Sequence, residues 1–290
     1  MDLFGTIPEE STLAEEDRII VNLRISDVFS SALYFEDTTG TILLLHDSLY
    51  GQIPFGFAVE NIRWVLSLLC AKAGDPVLWT AQKLCFSNGI TISLRQVPRP
   101  VQQKTEANFK PSALEWALSQ LKNSKMGAVS ELVTAPPDNT ECFESLFAQA
   151  ARKPVTELAK ALLNHDGAAI SFALKRIVGL GPGLTPSMDD FLTGAMCTFH
   201  YASFCWERTL PGAELLYDKI LHLPTDATGK YSRAYLNAAA SGQRFSIVER
   251  ILSDFSKEAT AALLKVGGHS GADMMTGVIW AIKCIKSHQQ

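Results

Sequence analysis

The chain of 290 residues is long enough for one large domain or two ordinary ones, and its 47% apolar and 19% charged residues are typical of a globular protein with a full core. The formal net charge of −4 argues against a nucleic-acid-binding or membrane-surface protein, but not against a local cationic pocket. No apolar run reaches the roughly 18 residues that a membrane span requires.

The cysteines and the N-terminus predict a cytoplasmic protein. The N-terminal residues lack the basic-then-apolar pattern of a secretory signal. Residues 1–16 are acidic and aperiodic, which predicts a mobile arm. Six scattered cysteines without zinc spacing predict buried free thiols in a reducing compartment: Cys70, Cys85, Cys142, Cys197, Cys205 and Cys284.

Strand-like patterns dominate residues 18–100. Thr41–His46 is a short apolar run that follows a Thr-Gly turn, and residues 55–59 form a second such run. Apolar residues at helical spacing predict a helix over residues 62–73. Several short strands with one helix favour a small sandwich or barrel. The stretch 51–56 has two interpretations, an irregular sheet edge or a ligand-facing loop.

Asn88–Gly89 predicts the clearest turn in this region. The dipeptide separates strand-like residues 77–86 from residues 90–94. Because Asn-Gly supplies the positive φ angles of a tight turn, we expect an antiparallel hairpin here.

A change of pattern at Pro98 and Pro100 predicts a domain boundary. We expect an α+β protein, with a β-rich N-terminal lobe (sandwich or barrel-like) at residues 1–100 and a larger all-helical lobe at residues 101–290. His200 lies on an apolar helix and indicates a core histidine more than a catalyst. The helices predicted after the boundary are 111–121, 141–151, 154–164, 166–178, 187–206, 211–221, 225–240, 245–255, 256–266 and 270–286.

The stretch Gly179–Asp190 combines three glycines and two prolines with two hydroxyl and two acidic residues. Ser187 is a favourable N-cap, and Asp190 stands at the capping-box position three residues later. The stretch therefore predicts a rigid loop that ends where a helix begins. A helix start carries free N–H groups and about half a positive charge, so this loop is a candidate anion-binding site.

A second copy of this helix start occurs near the C-terminus. Ser187-x-x-Asp190 is followed by Thr-Gly at Gly194, and Ser270-x-x-Asp273 is followed by Thr-Gly at Gly277. Because glycine weakens a helix by up to about 1 kcal/mol relative to alanine, we expect a close helix contact there. Our hypothesis is that the helices cross at these glycines, with both N-termini at one pocket. The alternative is two well-capped core helices without a ligand.

Hydroxyl residues at steps of three and four could lie on one face of a helix at 225–240, namely Thr225, Thr228 and Ser232. With Lys230 and Arg233 nearby, this face could donate hydrogen bonds to an oxyanion. The alternative is that the start of this stretch only caps the helix.

The motif Gly-Pro-Gly-Leu-Thr-Pro-Ser-x-Asp-Asp-Phe-Leu-x-Gly at residues 181–194 resembles the signature of a bacterial family long filed as a domain of unknown function. One branch of that family is the third subunit of oxamate carbamoyltransferase, from allantoin degradation. Residues 268–277, residues 225–232 and, more loosely, residues 28–59 also resemble family features. Met188 departs from the family pattern, which usually has glycine there.

The resemblance implies a carbamoyltransferase subunit that works with protein partners on a small anionic metabolite. The known reaction transfers a carbamoyl group between phosphate and a nitrogen nucleophile. The runner-up is a non-catalytic regulatory subunit that binds an anionic metabolite, and a purely structural helical scaffold ranks third.

We expect His269 to be the general acid or base, since an unperturbed histidine titrates at a pKa of about 6.5. Asp189 is the second catalytic candidate and the freer carboxylate, whereas Asp190 caps the helix. Either these two residues hold a magnesium ion or they point away from the anion. The expected anion-binding residues are Gly181, Gly183, Leu184, Thr185, Ser187 and Ser270, and the expected supporting residues are Asp190, Asp273, Thr228 and Ser232.

Overall fold

The computed structural model describes eight stretches of the chain: residues 2–8, 21–80, 82–97, 102–104, 111–124, 127–135, 145–254 and 257–288. The chain divides into two compact units, Met1–Val101 and Gln102–Gln290. The first is rich in strands and the second is helical, which confirms the predicted fold class. Pro98 and Pro100 lie outside the described residues.

The strands of the first unit close into a barrel in the order β1-β5-β4-β3-β2-β6-β7-β8. The pairs β1–β8 and β4–β5 are parallel, and the other neighbours are antiparallel. The strand bounds are β1 Asp2–Pro8, β2 Val21–Val28, β3 Ala32–Asp37, β4 Ile42–Asp47, β5 Gly56–Val59, β6 Pro76–Thr80, β7 Lys83–Phe86 and β8 Thr91–Val97.

Alternating apolar side chains fill the barrel. Leu23 and Ile25 of β2 are buried, whereas the residue between them is exposed. Phe57 and Trp79 pack edge to face, with their ring centroids 4.9 Å apart, and Phe35 contacts the same ring of Phe57. This period of two is what a strand with one buried face requires.

The first strand corrects the prediction for the N-terminus. Residues 2–8 form β1, which pairs with β8 along its whole length, so a mobile arm is wrong for this part. Residues 9–16 lie outside the described residues. Since β5 has neighbours on both sides, the stretch 51–56 does not end at a sheet edge.

The Asn-Gly hairpin is confirmed. Gly89 has φ +84°, and Phe86 donates its N–H to the carbonyl oxygen of Ile90 across the turn. The predicted single run at 77–86 is instead two antiparallel strands, β6 and β7. The predicted helix at 62–73 is shorter and ends at Leu69.

Gly89→Ala is expected to lower the free energy of unfolding by about 1 kcal/mol, because alanine at positive φ is strained. No atom lies within 4 Å of the added methyl, so steric overlap does not contribute. Urea unfolding measures the change. Ser87→Ala in the same turn is the control, and equal stability of both variants would contradict the argument.

The helices lie mainly in the second unit. Their bounds are α1 Ile62–Leu69, α2 Pro111–Ser124, α3 Glu131–Thr134, α4 Leu146–Leu163, α5 Gly167–Ile177, α6 Ser187–Cys205, α7 Ala213–Leu221, α8 Lys230–Ala240, α9 Ser246–Asp254, α10 Lys257–Leu263 and α11 Ser270–Ser287.

Helix α4 replaces two predicted helices. It continues through Pro154, where the sequence predicts a break. Proline removes one backbone hydrogen bond, but Val155 and Leu158 beside it are buried, and their packing offsets that loss. Ser145 caps the helix by accepting the N–H of Ala148 at 3.3 Å. Residues 141–144 of the predicted element lie outside the described residues.

The described cysteines are free thiols, but Cys70 is exposed, against the expectation that all would be buried. Cys142 lies outside the described residues. In the part of the chain that the structure describes, none of the helices combines the length and the apolarity of a membrane span.

Candidate functional site

Helices α6 and α11 cross at the two glycines that the sequence singles out. A Cβ atom on Gly194 would overlap the carbonyl oxygen of Met274, and one on Gly277 would overlap the carbonyl oxygen of Phe191. The predicted crossing is therefore confirmed. Only glycine lets the two backbones approach so closely.

The two helices form an approximately two-fold symmetric pair. The contact of Gly194 with α11 is the counterpart of the contact of Gly277 with α6. Thr193 donates to the carbonyl oxygen of Asp189 at 2.9 Å, and Thr276 donates to that of Ala272 at 2.8 Å. The repeated Ser-x-x-Asp…Thr-Gly pattern thus takes the same local structure twice.

The capping boxes predicted at both helix starts are wrong. Pro186 is the N-cap of α6 and His269 is the N-cap of α11, and neither cap has a side-chain hydrogen bond. Ser187 and Ser270 are the first helical residues. Pro186 has an extended backbone with ψ 140°, so the cap lies one residue before the predicted one and Ser187 is already helical.

The starts of the two helices lie side by side. The hydroxyl oxygens of Thr185 and Ser270 are 3.1 Å apart, although the residues are 85 positions apart in the chain. Thr185 also donates to Asp190 Oδ2 at 3.0 Å. Ser270 hydrogen-bonds to the same carboxyl and opposes the rise of its pKa. The carboxyl of α6 is therefore tied to the first residue of α11.

The carboxyl of α11, that of Asp273, lies beside the first residue of α6, Ser187. Asp273 Oδ1 accepts the N–H of Val129 at 3.0 Å, which ties α11 to the segment before α3. The Ser187 hydroxyl lies beside Asp273 and lowers the pKa of its carboxyl. Neither Ser187 Oγ nor Asp273 Oδ2, however, has hydrogen-bond geometry with a described residue, and both atoms are buried.

Asp189 is the most heavily hydrogen-bonded of the three carboxylates. Its Oδ1 accepts the N–H of Gly179 at 2.8 Å, and its Oδ2 accepts the hydroxyls of Thr228 and Ser232, each at 2.5 Å. The expectation that Asp189 is the freer carboxylate is therefore wrong. The side chain joins the start of the glycine loop to α8.

The hydroxyl face predicted at 225–233 is only partly correct. Helix α8 begins at Lys230, with Gly229 as its N-cap, so Thr225 precedes the helix and does not cap it. Thr228 and Ser232 do lie together, but their hydroxyls donate to Asp189. Arg233 donates to the carbonyl oxygens of Leu223 and Pro224 and so holds the turn before α8.

The loop between α5 and α6 presents backbone N–H groups near the surface. Gly183 and Leu184 are exposed, and their N–H groups make no hydrogen bond within the described residues. Gly181 has φ +127°, and a Cβ there would lie 2.5 Å from the nitrogen of Ser187, so the turn requires glycine. The N–H of Met188, in contrast, is donated to Leu180.

Met188 and His269 differ in exposure to solvent. Met188 is fully buried in α6. His269 is exposed, and its charge lowers the pKa of the Asp273 carboxyl. His269 is therefore close to the helix starts, as expected.

Burial raises the pKa of all three carboxyls. For Asp189, the hydrogen bonds from Ser232, Thr228 and Gly179 oppose this rise. Asp190 is raised well above its usual pKa by burial, to which repulsion from its acidic neighbours adds. Asp273 reaches a pKa of about 6. Within the described residues, no group of three or more His, Cys, Asp or Glu side chains is arranged to hold a metal ion.

The free energy of unfolding is expected to fall as the pH rises from about 4 to about 6. The folded state holds a proton on Asp273 up to a pKa of about 6, whereas the ordinary value is 3.8, so folding favours the protonated form in this window. The pKa values of Asp189 and Asp190 are raised too and act in the same direction. For Asp273, the difference between a pKa of 3.8 and one of about 6 corresponds to about 3 kcal/mol of unfolding free energy.

Urea unfolding at pH 4.5 and pH 7 tests this dependence. Asp273→Asn should reduce it, and Asp226→Asn, exposed in the turn before α8, should leave it unchanged. A pH dependence that survives intact in Asp273→Asn would show that this carboxyl does not cause it.

The segment at 127–130 is a partner of the site that the sequence does not reveal. The Val129 N–H binds Asp273, and a Cβ on Gly127 would lie 3.1 Å from the same carboxyl oxygen. In the sequence, only Gly127 indicates a close contact in this segment. A lone glycine does not identify Asp273, 146 positions away, as the residue that it contacts.

Close glycine contacts between α6 and α11 thus bring two similar helix starts together in this chain. The family model described as oxamate carbamoyltransferase subunit AllH matches residues 177–282, and that of the AllH family N-terminal domain matches residues 9–99. Together they cover most of the chain, which therefore belongs to the AllH family. No solved structure matches the chain.

Proposed function

We propose that the chain is a subunit of a carbamoyltransferase of the oxamate carbamoyltransferase type. Membership of the AllH family supports this proposal, because the matching family is described as a subunit of that enzyme. The description as a subunit also supports protein partners. Loop 179–190 is proposed to bind carbamoyl phosphate or a similar small anion.

The contact between Thr185 and Ser270 is the main observation in support of an anion-binding site at this loop. It joins two half-buried hydroxyls at the starts of α6 and α11, beside the exposed N–H groups of Gly183 and Leu184. Hydroxyls and N–H groups at helix starts are suitable donors to a phosphate or carboxylate. The buried position of Asp189, behind the loop, keeps its charge away from this exposed surface.

The proposed reaction depends more on hydrogen-bond donors that stabilise negative charge than on a strong base. The acceptor nitrogen attacks the carbonyl carbon of carbamoyl phosphate, the C–N bond forms, and the C–O bond to phosphate breaks. The nitrogen releases one proton as inorganic phosphate leaves. Preorganised donors stabilise the negative charge of the tetrahedral centre.

We assign the proton transfer to His269, which is exposed beside the loop and belongs to the residue type best suited to it at neutral pH. Asp189 acts as a positioning residue, because its hydrogen bonds hold Gly179 and α8 in place. Asp190 supports the site through its hydrogen bond with Ser270, and Asp273 supports it by accepting the N–H of Val129.

Ser270→Ala is expected to lower kcat/KM for phosphate release from carbamoyl phosphate about tenfold, the equivalent of about 1.4 kcal/mol. The assay uses the chain co-purified with its partner subunits, with oxamate as acceptor. Ser287→Ala, at the other end of α11, is the matched control and should retain full activity. No phosphate release by the wild-type complex would contradict the proposed function.

A non-catalytic anion-binding subunit is the second candidate. It is favoured by the burial of all three carboxyls, which leaves His269 as the one exposed acid or base among the proposed catalytic residues. Phosphate binding that is unchanged in His269→Ala, together with a complex that shows no turnover, would support this alternative.

A further inference from the structure

The turn between β7 and β8 contains a chemically labile pair of residues. Asn88–Gly89 is the one Asn-Gly dipeptide of the sequence, and both residues are exposed to solvent. Asparagine is among the thermolabile residues. Glycine has no Cβ, so its backbone nitrogen can closely approach the side chain of the residue before it. The dipeptide is therefore suited to loss of the asparagine amide.

Deamidation of such a pair begins when the glycine nitrogen attacks the side-chain carbonyl carbon of the asparagine. A C–N bond forms, the bond to the side-chain nitrogen breaks, and that nitrogen leaves as ammonia with the proton of the glycine N–H. Water then opens the cyclic imide and leaves a carboxylate, on a normal aspartate or on an isoaspartate. The reaction needs only the chain and water.

The folded turn holds both reacting groups in hydrogen bonds. The Gly89 N–H donates to the carbonyl oxygen of Phe86 at 3.0 Å. Asn88 Oδ1 accepts the N–H of Ile90 at 3.0 Å, and Asn88 Nδ2 donates to the carbonyl oxygen of Leu69 at 2.7 Å. Because the attack requires the Gly89 nitrogen to lose its proton and the Asn88 side chain to turn, these bonds must break first.

The hydrogen bond to Leu69 joins the hairpin to α1. Leu69 is the last residue of this helix, and Ile62, Val65 and Leu69 pack in the same buried cluster as the barrel strands. The end of a helix carries partial negative charge on its free carbonyl groups. A carboxylate in place of the Asn88 amide would lose the donor to Leu69 and place a negative charge beside that end.

We propose that Asn88 is a deamidation site that the folded turn protects, and that the carboxylate formed there weakens the attachment of α1 to the barrel. The reaction proceeds from molecules in which the hairpin has opened locally. Its product accumulates with the age of the protein and loosens the N-terminal unit. This site is independent of the proposed carbamoyl transfer.

Mass spectrometry of the tryptic peptide 84–95 measures the reaction on the full chain at pH 8, in water enriched in heavy oxygen. The heavy oxygen should enter the peptide at Asn88. The rate in the folded chain should be at least about tenfold lower than in the chain unfolded in urea, because the reactive open form is rare. Equal rates in the two states, or no heavy oxygen in the unfolded chain, would overturn the proposal.

Two valine variants show whether local opening controls the rate. Val65→Ala removes buried contacts of α1 and should raise the rate in the folded chain at least about threefold, whereas Val155→Ala, buried in α4 of the second unit, should not. Both variants should react like the wild type when unfolded. Equal acceleration by the two variants in the folded state would contradict an opening at the hairpin.

Asn88→Asp imitates the product. Its carboxylate still accepts the N–H of Ile90 but no longer donates to Leu69, so the midpoint of urea unfolding should fall below that of the wild type. Asn61→Asp, the same exchange at the start of α1, is the control and should not lower the midpoint, because a negative charge is favourable there. A wild-type midpoint for Asn88→Asp would overturn the proposed effect on α1.

Discussion

The variant Gly194→Ala is expected to lose about 3 kcal/mol or more of its free energy of unfolding, because a methyl group has no room where α6 meets α11. The overlapping atom is the carbonyl oxygen of Met274, which belongs to the backbone of a buried helix and cannot rotate away. The helices would have to separate. Urea unfolding followed by circular dichroism measures the loss.

Gly268→Ala is the matched control for this prediction. No heavy atom lies within 4 Å of a Cβ at Gly268, and its φ is outside the left-handed region, so its stability should change little. Gly277→Ala should behave like Gly194→Ala, because the helix pair is nearly symmetric. Wild-type stability of both helix variants would contradict the crossing itself.

Asp189→Asn is expected to destabilise the protein by about 3 kcal/mol. The carboxylate accepts hydrogen bonds from Gly179, Thr228 and Ser232, and an amide group turns one of its two acceptors into a donor. At least one buried donor would lose its partner, and a new donor would face existing ones. The midpoint of urea unfolding reports the change.

A double-mutant cycle assigns this effect to α8. In a Ser232→Ala background, Asp189→Asn should cost less, because one of the opposing donors is already absent. Asp226→Asn, exposed in the turn before α8, is the control. Strict additivity of the Asp189 and Ser232 changes would show that the two side chains do not interact.

The features that the sequence predicted best depend on local chemistry or on repetition. The hairpin at Asn88–Gly89 follows from a glycine at the turn position whose φ is positive. The crossing at Gly194 and Gly277 follows from a glycine in the same place of two similar helices, where only close packing justifies its presence.

The features that the sequence missed depend on partners distant in the chain. Strand β1 pairs with β8, about 90 residues later, so an isolated look at residues 2–8 finds no strand. Asp189 is the freer carboxylate on the sequence pattern alone, and its partner Thr228, 39 positions away, does not show in that pattern. The serines were assigned as caps, whereas the structure directs Ser270 to the carboxyl of the other helix.

The role of β1 has a practical consequence for anyone who shortens the chain. It is the strand that connects β5 to β8 and so completes the barrel. Deletion of residues 2–8 would convert a continuous ring into an open sheet with two unsatisfied rows of backbone donors and acceptors. Such rows pair readily with other chains, so a trimmed protein would be prone to self-association through its N-terminal unit.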